Sequence, residues 1–115
     1  MQRYTWSRSN ADGVTPLEGI RRLAGGKVKI NHAKGCDLIT DDTSGFDEAV
    51  AAAQASELSI IFAGTSSASH ARDYSNVTSG EGFDLSSLEL TGVQSDLIKR
   101  IHAVGKPVVL VLVTG

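Results

Sequence analysis

The chain has 115 residues, with 11 Lys plus Arg against 13 Asp plus Glu, a size for one domain and a balance unlike that of an electrostatic nucleic-acid binder. Hydrophobic residues make up 41% and charged residues 21%, which fits a folded globular chain and excludes a disordered one. The longest apolar run, Val108 to Val113, is too short to span a bilayer, and the single Cys36 excludes an internal disulfide framework and any multi-cysteine metal site.

In chain order, residues 1–14 are polar and irregular. The N-terminal MQRYTWSRSN has no apolar core of the signal-peptide kind, and the compartment stays open. Thr15-Pro16-Leu17-Glu18 then reads as a capping box with proline at the first helical position. Leu17, Ile20 and Leu23/Ala24 follow at helical spacing, and Gly25-Gly26 supplies the stop. Lys27-Val28-Lys29-Ile30-Asn31 alternates strictly and predicts a strand with one wet face or an edge position.

A polar stretch through Asp41-Asp42-Thr43-Ser44-Gly45 leads into a helix expected from about Phe46 to Ser56, with Phe46, Val50 and Ala53 on one face. Leu58 to Ala63 is nearly continuous in apolar character, as for a strand covered on both faces. A third helix is expected from near Gly92, capped by Thr91 and Gln94, with an apolar stripe of Val93, Leu97, Ile101 and Val104. Gly105 ends it, and Pro107 to Val113 is the most β-prone run, suited to the middle of a parallel sheet. Alternating helices and strands define an α/β class with a mainly parallel sheet and helices on both faces. No strand precedes the first helix and no helix follows the last strand, so the domain is expected to be incomplete at both ends.

The stretch from Gly64 to Leu90 shows no convincing helix or strand, and loops of that length inside compact domains are commonly functional. It leaves the carboxyl end of a buried strand, where open α/β sheets place their ligands. His70, Arg72, Asp73, Tyr74, Glu81, Phe83 and Asp84 all lie on it. Its first part, Gly64-Thr65-Ser66-Ser67-Ala68-Ser69, is hydroxyl-rich and is compatible with cradling a phosphate, as in flavodoxin-like nucleotide-binding modules, although no helix starts directly after it. A purely structural or interaction module is a third reading. His32, His70 and His102 lack ligand spacing, so no metal site is expected. Asn76-Val77-Thr78 is a glycosylation sequon, relevant only after eukaryotic secretion.

Ser79-Gly80-Glu81-Gly82-Phe83-Asp84, followed by Leu88-Glu89-Leu90-Thr91-Gly92-Val93-Gln94, resembles the acid/base loop of glycoside hydrolase family 3. Many members there read Glu-Gly-Phe/Tyr-Asp-Arg and then Leu-x-Leu-Pro-Gly-x-Gln. Val14 to Ile20, Lys34-Gly35-Cys36-Asp37, Phe46 to Val50 and Gly105 to Val109 resemble further family segments, in the same order. The resemblance is to the family's second domain, a flavodoxin-like three-layer α/β/α sandwich that packs on a catalytic barrel, and residues 1–115 would be part of it.

Members are retaining β-glycosidases acting mostly on β-glucosides or β-xylosides, which need two carboxyl groups about 5–5.5 Å apart. The resemblance implies Glu81 as general acid/base, Asp84 as a residue that orients the loop or contacts substrate, and Cys36 in a structural turn. The aromatic rings of Phe83 and Tyr74 suit stacking on an apolar sugar face, with core packing the equal alternative for Phe83. The resemblance implies no cofactor. The nucleophilic aspartate belongs to the barrel and has no counterpart here, so the isolated chain is expected to be inactive. Glycines on both sides of Glu81 permit close approach of a sugar, and the barrel would have to supply the burial or charge that raises a general acid's pKa. Leu85 and Thr91 depart from the family's arginine and proline.

Overall fold

The computed structural model describes residues 13–68, 77–80 and 83–114. Helix α1, Pro16–Ala24, starts as its sequence dictates, with extended Thr15 accepting the Glu18 N–H at its hydroxyl over 3.2 Å. The carboxylate of Glu18 pairs with Arg22 one turn on. Gly25 ends the helix in the left-handed conformation at φ 53°, its N–H donating to the Arg21 carbonyl. The apolar stripe of α1 buries no residue, and Leu23 is 90% exposed.

The strand expected over Lys27–Asn31 does not form. The Lys27 N–H turns back to the Ala24 carbonyl, and the Asn31 side chain donates to the Ser56 hydroxyl at 2.9 Å and the Ala55 carbonyl at 3.3 Å. A strand needs a neighbour to complete its ladder, and no described strand pairs with this segment. Alternation in the sequence records which side is wet, not whether a neighbour is in place.

Helix α2, Phe46–Gln54, runs into strand β1, Ser59–Gly64, and helix α3, Gln94–His102, into strand β4, Val108–Val113. β1 and β4 are parallel neighbours in register from Ser59 opposite Val108 to Gly64 opposite Val113. The architecture is therefore α/β with a parallel sheet. Phe46, Ala49 and Ala53 of α2 and Leu97 and Ile101 of α3 meet Ile61 and Ala63 of β1 in one buried cluster. Arg100 lies over the Phe46 ring, 5.4 Å from its centroid. On α2 the buried face is thus Phe46, Ala49 and Ala53, with Val50 at its margin.

Full cover on both faces of β1 is not what the described residues provide. Ile61 and Ala63 are buried beneath the helices, whereas Ile60 and Phe62, pointing the other way, are 43% and 45% exposed. β4 pairs along one edge only among the described residues, and Val109, Leu110, Leu112 and Val113 are exposed. The strand pattern correctly marks apolar faces, and α2 and α3 form the helical layer over one of them.

The start of α3 also departs from expectation. Val93, not Thr91, occupies the cap position, and no side chain caps the helix. Thr91 and Gln94 are engaged elsewhere, as described next.

Candidate functional site

The candidate site is expected at the carboxyl ends of β1 and β4. Gly64 closes β1 with φ 154°, and a Cβ there would lie 1.9 Å from the Val113 carbonyl oxygen, so only glycine fits. The chain stays on the sheet for one more residue, since the Thr65 N–H donates to Val113 O at 2.9 Å. On the opposite edge of β1, Gln94 takes over. Its Oε1 accepts from the Gly64 N–H, and its Nε2 donates to the Gly64 carbonyl, both at 2.9 Å. The same amide donates to the Leu38 carbonyl at 3.1 Å, which also receives the Thr91 hydroxyl at 2.7 Å. Gln94 is 4% exposed. The pair read as a helix cap is in fact a tie between the 38–40 segment, the end of β1 and the start of α3.

The long stretch beyond Gly64 has strand pairing that its composition does not announce. Two short strands, β2 (Ser67–Ala68) and β3 (Ser79–Gly80), pair in parallel. Thr78 locks the base of this ladder. Its hydroxyl accepts from the Ser66 N–H and donates to the Ser66 carbonyl, each at 3.0 Å, and its own N–H donates to that carbonyl at 2.7 Å. Val77, Thr78 and Ser79 are all buried. Just beyond, Gly80 and Phe83 exchange backbone hydrogen bonds of 3.0 and 3.3 Å in an antiparallel bridge.

Glu81 and Gly82, the two residues between those partners in sequence, lie outside the described residues, as do His70, Arg72, Asp73, Tyr74 and Asn76. Of the residues expected to meet substrate, Phe83 is 39% exposed beside Gly80. Asp84 is exposed, and its carboxylate accepts the Leu85 N–H at 2.7 Å. The sequon threonine, Thr78, has its hydroxyl bonded to both backbone groups of Ser66.

In the first half of the hydroxyl-rich stretch the backbone donors are committed within the fold. The N–H groups of Gly64, Thr65 and Ser66 go to Gln94 Oε1, Val113 O and Thr78 Oγ1 respectively. A cradle needs successive N–H groups free to converge on an anion. These three are already satisfied.

Away from the sheet end, Lys34, Gly35, Cys36, Asp37, Asp42, Ser44, Gly45 and Glu48 line a shallow polar concavity of about 260 Å³. Lys34 and Asp37 pair at 2.7 Å across its rim, which holds the lysine's pKa above its ordinary value. Burial, reinforced by Asp37, pushes the Cys36 thiol up, which favours its protonated form, and the side chain packs partly buried against the core. Among the described residues no group of His, Cys, Asp and Glu could hold a metal ion. No described helix is long and apolar enough to cross a membrane.

Sequence reasoning missed Gln94 and Thr78. An amide two residues after Thr91-Gly92 and a threonine three residues before Glu81 stand in plain view. What identifies them is burial against backbone groups distant in sequence.

A parallel sheet with a helical layer on one face places the described residues in the α/β class, whose sites lie at the carboxyl end of the strands. The model of the glycosyl hydrolase family 3 C-terminal domain matches residues 2–115, and the chain belongs to that family. It is 41% identical over 102 residues to a beta-xylosidase of Formosa agariphila, covering 89% of this chain and 13% of that protein. It is 32% identical to the exo-1,4-beta-xylosidase xlnD of Emericella nidulans, over 89% of this chain and 11% of the relative. To the probable beta-D-xylosidase 6 of Arabidopsis thaliana it is 42% identical over 76% of the chain and 10% of the relative. The chain thus spans about a tenth of the length of these relatives.

Proposed function

We propose that this chain serves a retaining β-glycosidase acting on terminal β-linked xylosyl or glucosyl residues, xylosyl foremost, and contributes its acid/base loop. Membership of the glycosyl hydrolase family 3 C-terminal domain, with relatives named as beta-xylosidases, carries the reading. The Ser79-to-Asp84 segment that resembles the family's acid/base loop follows directly in sequence on Thr78, whose hydroxyl is bonded to Ser66.

In this reading Glu81 donates a proton to the glycosidic oxygen as the bond to the anomeric carbon breaks. An aspartate of a neighbouring barrel domain forms the glycosyl ester. Glu81, now a carboxylate, then takes a proton from the water that displaces that aspartate, restoring both groups. Tyr74, Phe83 and Asp84 face the sugar or orient the loop. The 115-residue chain without the barrel does not turn over a glycoside.

Glu81→Ala in the full-length protein tests this. Turnover of an unactivated β-xyloside is expected to fall by about 10²–10⁴-fold. Azide is expected to restore turnover of an activated aryl xyloside, by attacking the anomeric carbon of the glycosyl ester in place of water, freeing the aspartate and giving the β-xylosyl azide. Full turnover by the variant, with no azide adduct, would sink the proposal and favour a purely structural role for the loop.

A further inference from the structure

We infer that Thr78 is a positioning residue for the acid/base loop: its buried hydroxyl fixes the backbone from which Glu81 emerges, and so sets proton delivery to the leaving group. The inference rests on the proposed role of Glu81 and adds a residue to it.

Three observations carry it. The Thr78 hydroxyl makes two hydrogen bonds, accepting from the N–H and donating to the carbonyl of the single residue Ser66, both at 3.0 Å. A methyl in its place leaves the Ser66 N–H without an acceptor, the kind of loss that moves a backbone rather than a side chain. Ser66 itself does not drift, because Thr65 next to it is held by Val113 and Gly64 by Gln94. Thr78 thereby transmits the position of the sheet end to β3, whose last residue, Gly80, directly precedes Glu81. Thr78 is 9% exposed and three residues from Glu81, so it acts through the backbone and not on the sugar.

A displaced acid has a signature that a merely weakened fold lacks. Proton donation matters greatly when the leaving group is a sugar or alkoxide and little when it is an acidic phenol. Thr78→Val in the full-length protein is expected to lose about tenfold in kcat/KM on an unactivated β-xyloside and less than about threefold on a dinitrophenyl xyloside. Thr78→Ser, which keeps the hydroxyl, is expected to retain the wild-type ratio between the two substrates. Thr78→Ala replaces the valine variant if that one does not fold, with the same expected ratio.

Equal losses on both substrates, or none, overturn the inference. So does a changed ratio in Thr78→Ser. Glu81→Gln run alongside separates the two levels. If it fails to discriminate between the substrates, the role of Glu81 falls. If it discriminates and Thr78→Val does not, only the role of Thr78 falls.

Discussion

Gln94 bonds Gly64 through both of its backbone groups, accepting from the N–H and donating to the carbonyl at 2.9 Å each. That paired exchange is what an antiparallel neighbour would offer a strand residue. Here one carboxamide supplies it, on the edge of β1 facing away from β4. The end of the strand is therefore held on both sides, by Gln94 at Gly64 and by the Val113 carbonyl at Thr65, which gives the long connection a fixed origin.

Replacing Gln94 by leucine keeps the volume and removes the bonds. The Leu38 carbonyl retains the Thr91 hydroxyl, but Gly64 loses a donor and an acceptor in a buried place. A loss of about 3 kcal/mol is expected, read from denaturant unfolding. Gln94→Glu can accept from Gly64 but, when ionised, cannot donate to its carbonyl. Its deficit is expected to shrink as the pH falls and the new carboxyl protonates. A leucine variant as stable as wild type would show that the tie contributes nothing.

Gly64 and Gly25 separate space from conformation. At Gly64 a Cβ would meet the Val113 oxygen at 1.9 Å, and at Gly25 (φ 53°) it would meet nothing within 4 Å. Gly64→Ala is expected to cost more than about 3 kcal/mol or prevent folding, because the β1–β4 pairing itself must open. Gly25→Ala is expected to cost only about 1–2 kcal/mol, the left-handed penalty alone. Thermal melts of the two variants compare them directly, and equal costs would contradict the close approach at Gly64.

Asp42 accepts the Ser44 N–H at 2.8 Å, and this bond holds its carboxyl below the ordinary range. A depressed folded-state pKa stabilises above the unfolded value and loses that contribution as the pH falls through the folded one. Asp42→Ala is therefore expected to lower the melting temperature near about pH 7, with the difference from wild type shrinking in strongly acidic solution as the carboxylate protonates. A difference of the same size in both solutions would remove the carboxylate from the explanation.

The helices were largely legible. The Thr15 cap, the proline after it and the Gly25 stop describe local chemistry, and local chemistry is what a sequence states. The α3 stripe of Leu97 and Ile101 followed from periodicity in the same way. Lys27–Asn31 failed because a strand is a relation between two segments, and its alternation names no partner. Thr91 and Gln94 failed differently: the capping pattern is real, but buried carbonyls of Leu38 and Gly64 compete for the same side chains and win. At the candidate site the motif around Glu81 was visible by resemblance, whereas Thr78, which holds its base, depends on Ser66 across a turn of chain.

Val108 to Val113 is an uncharged, proline-free hexapeptide of valine and leucine with an edge that no described strand occupies. Segments of that composition pair readily with copies of themselves. Lys106 and Pro107 stand immediately before it, and the Lys106 ammonium is already bound to the carbonyls of Gln54, the last residue of α2, and of Ser56 just beyond. The charge that guards the strand is thus also the latch that joins it to the helical layer. During synthesis or refolding, the safety of this hexapeptide depends on that latch closing before a second molecule arrives.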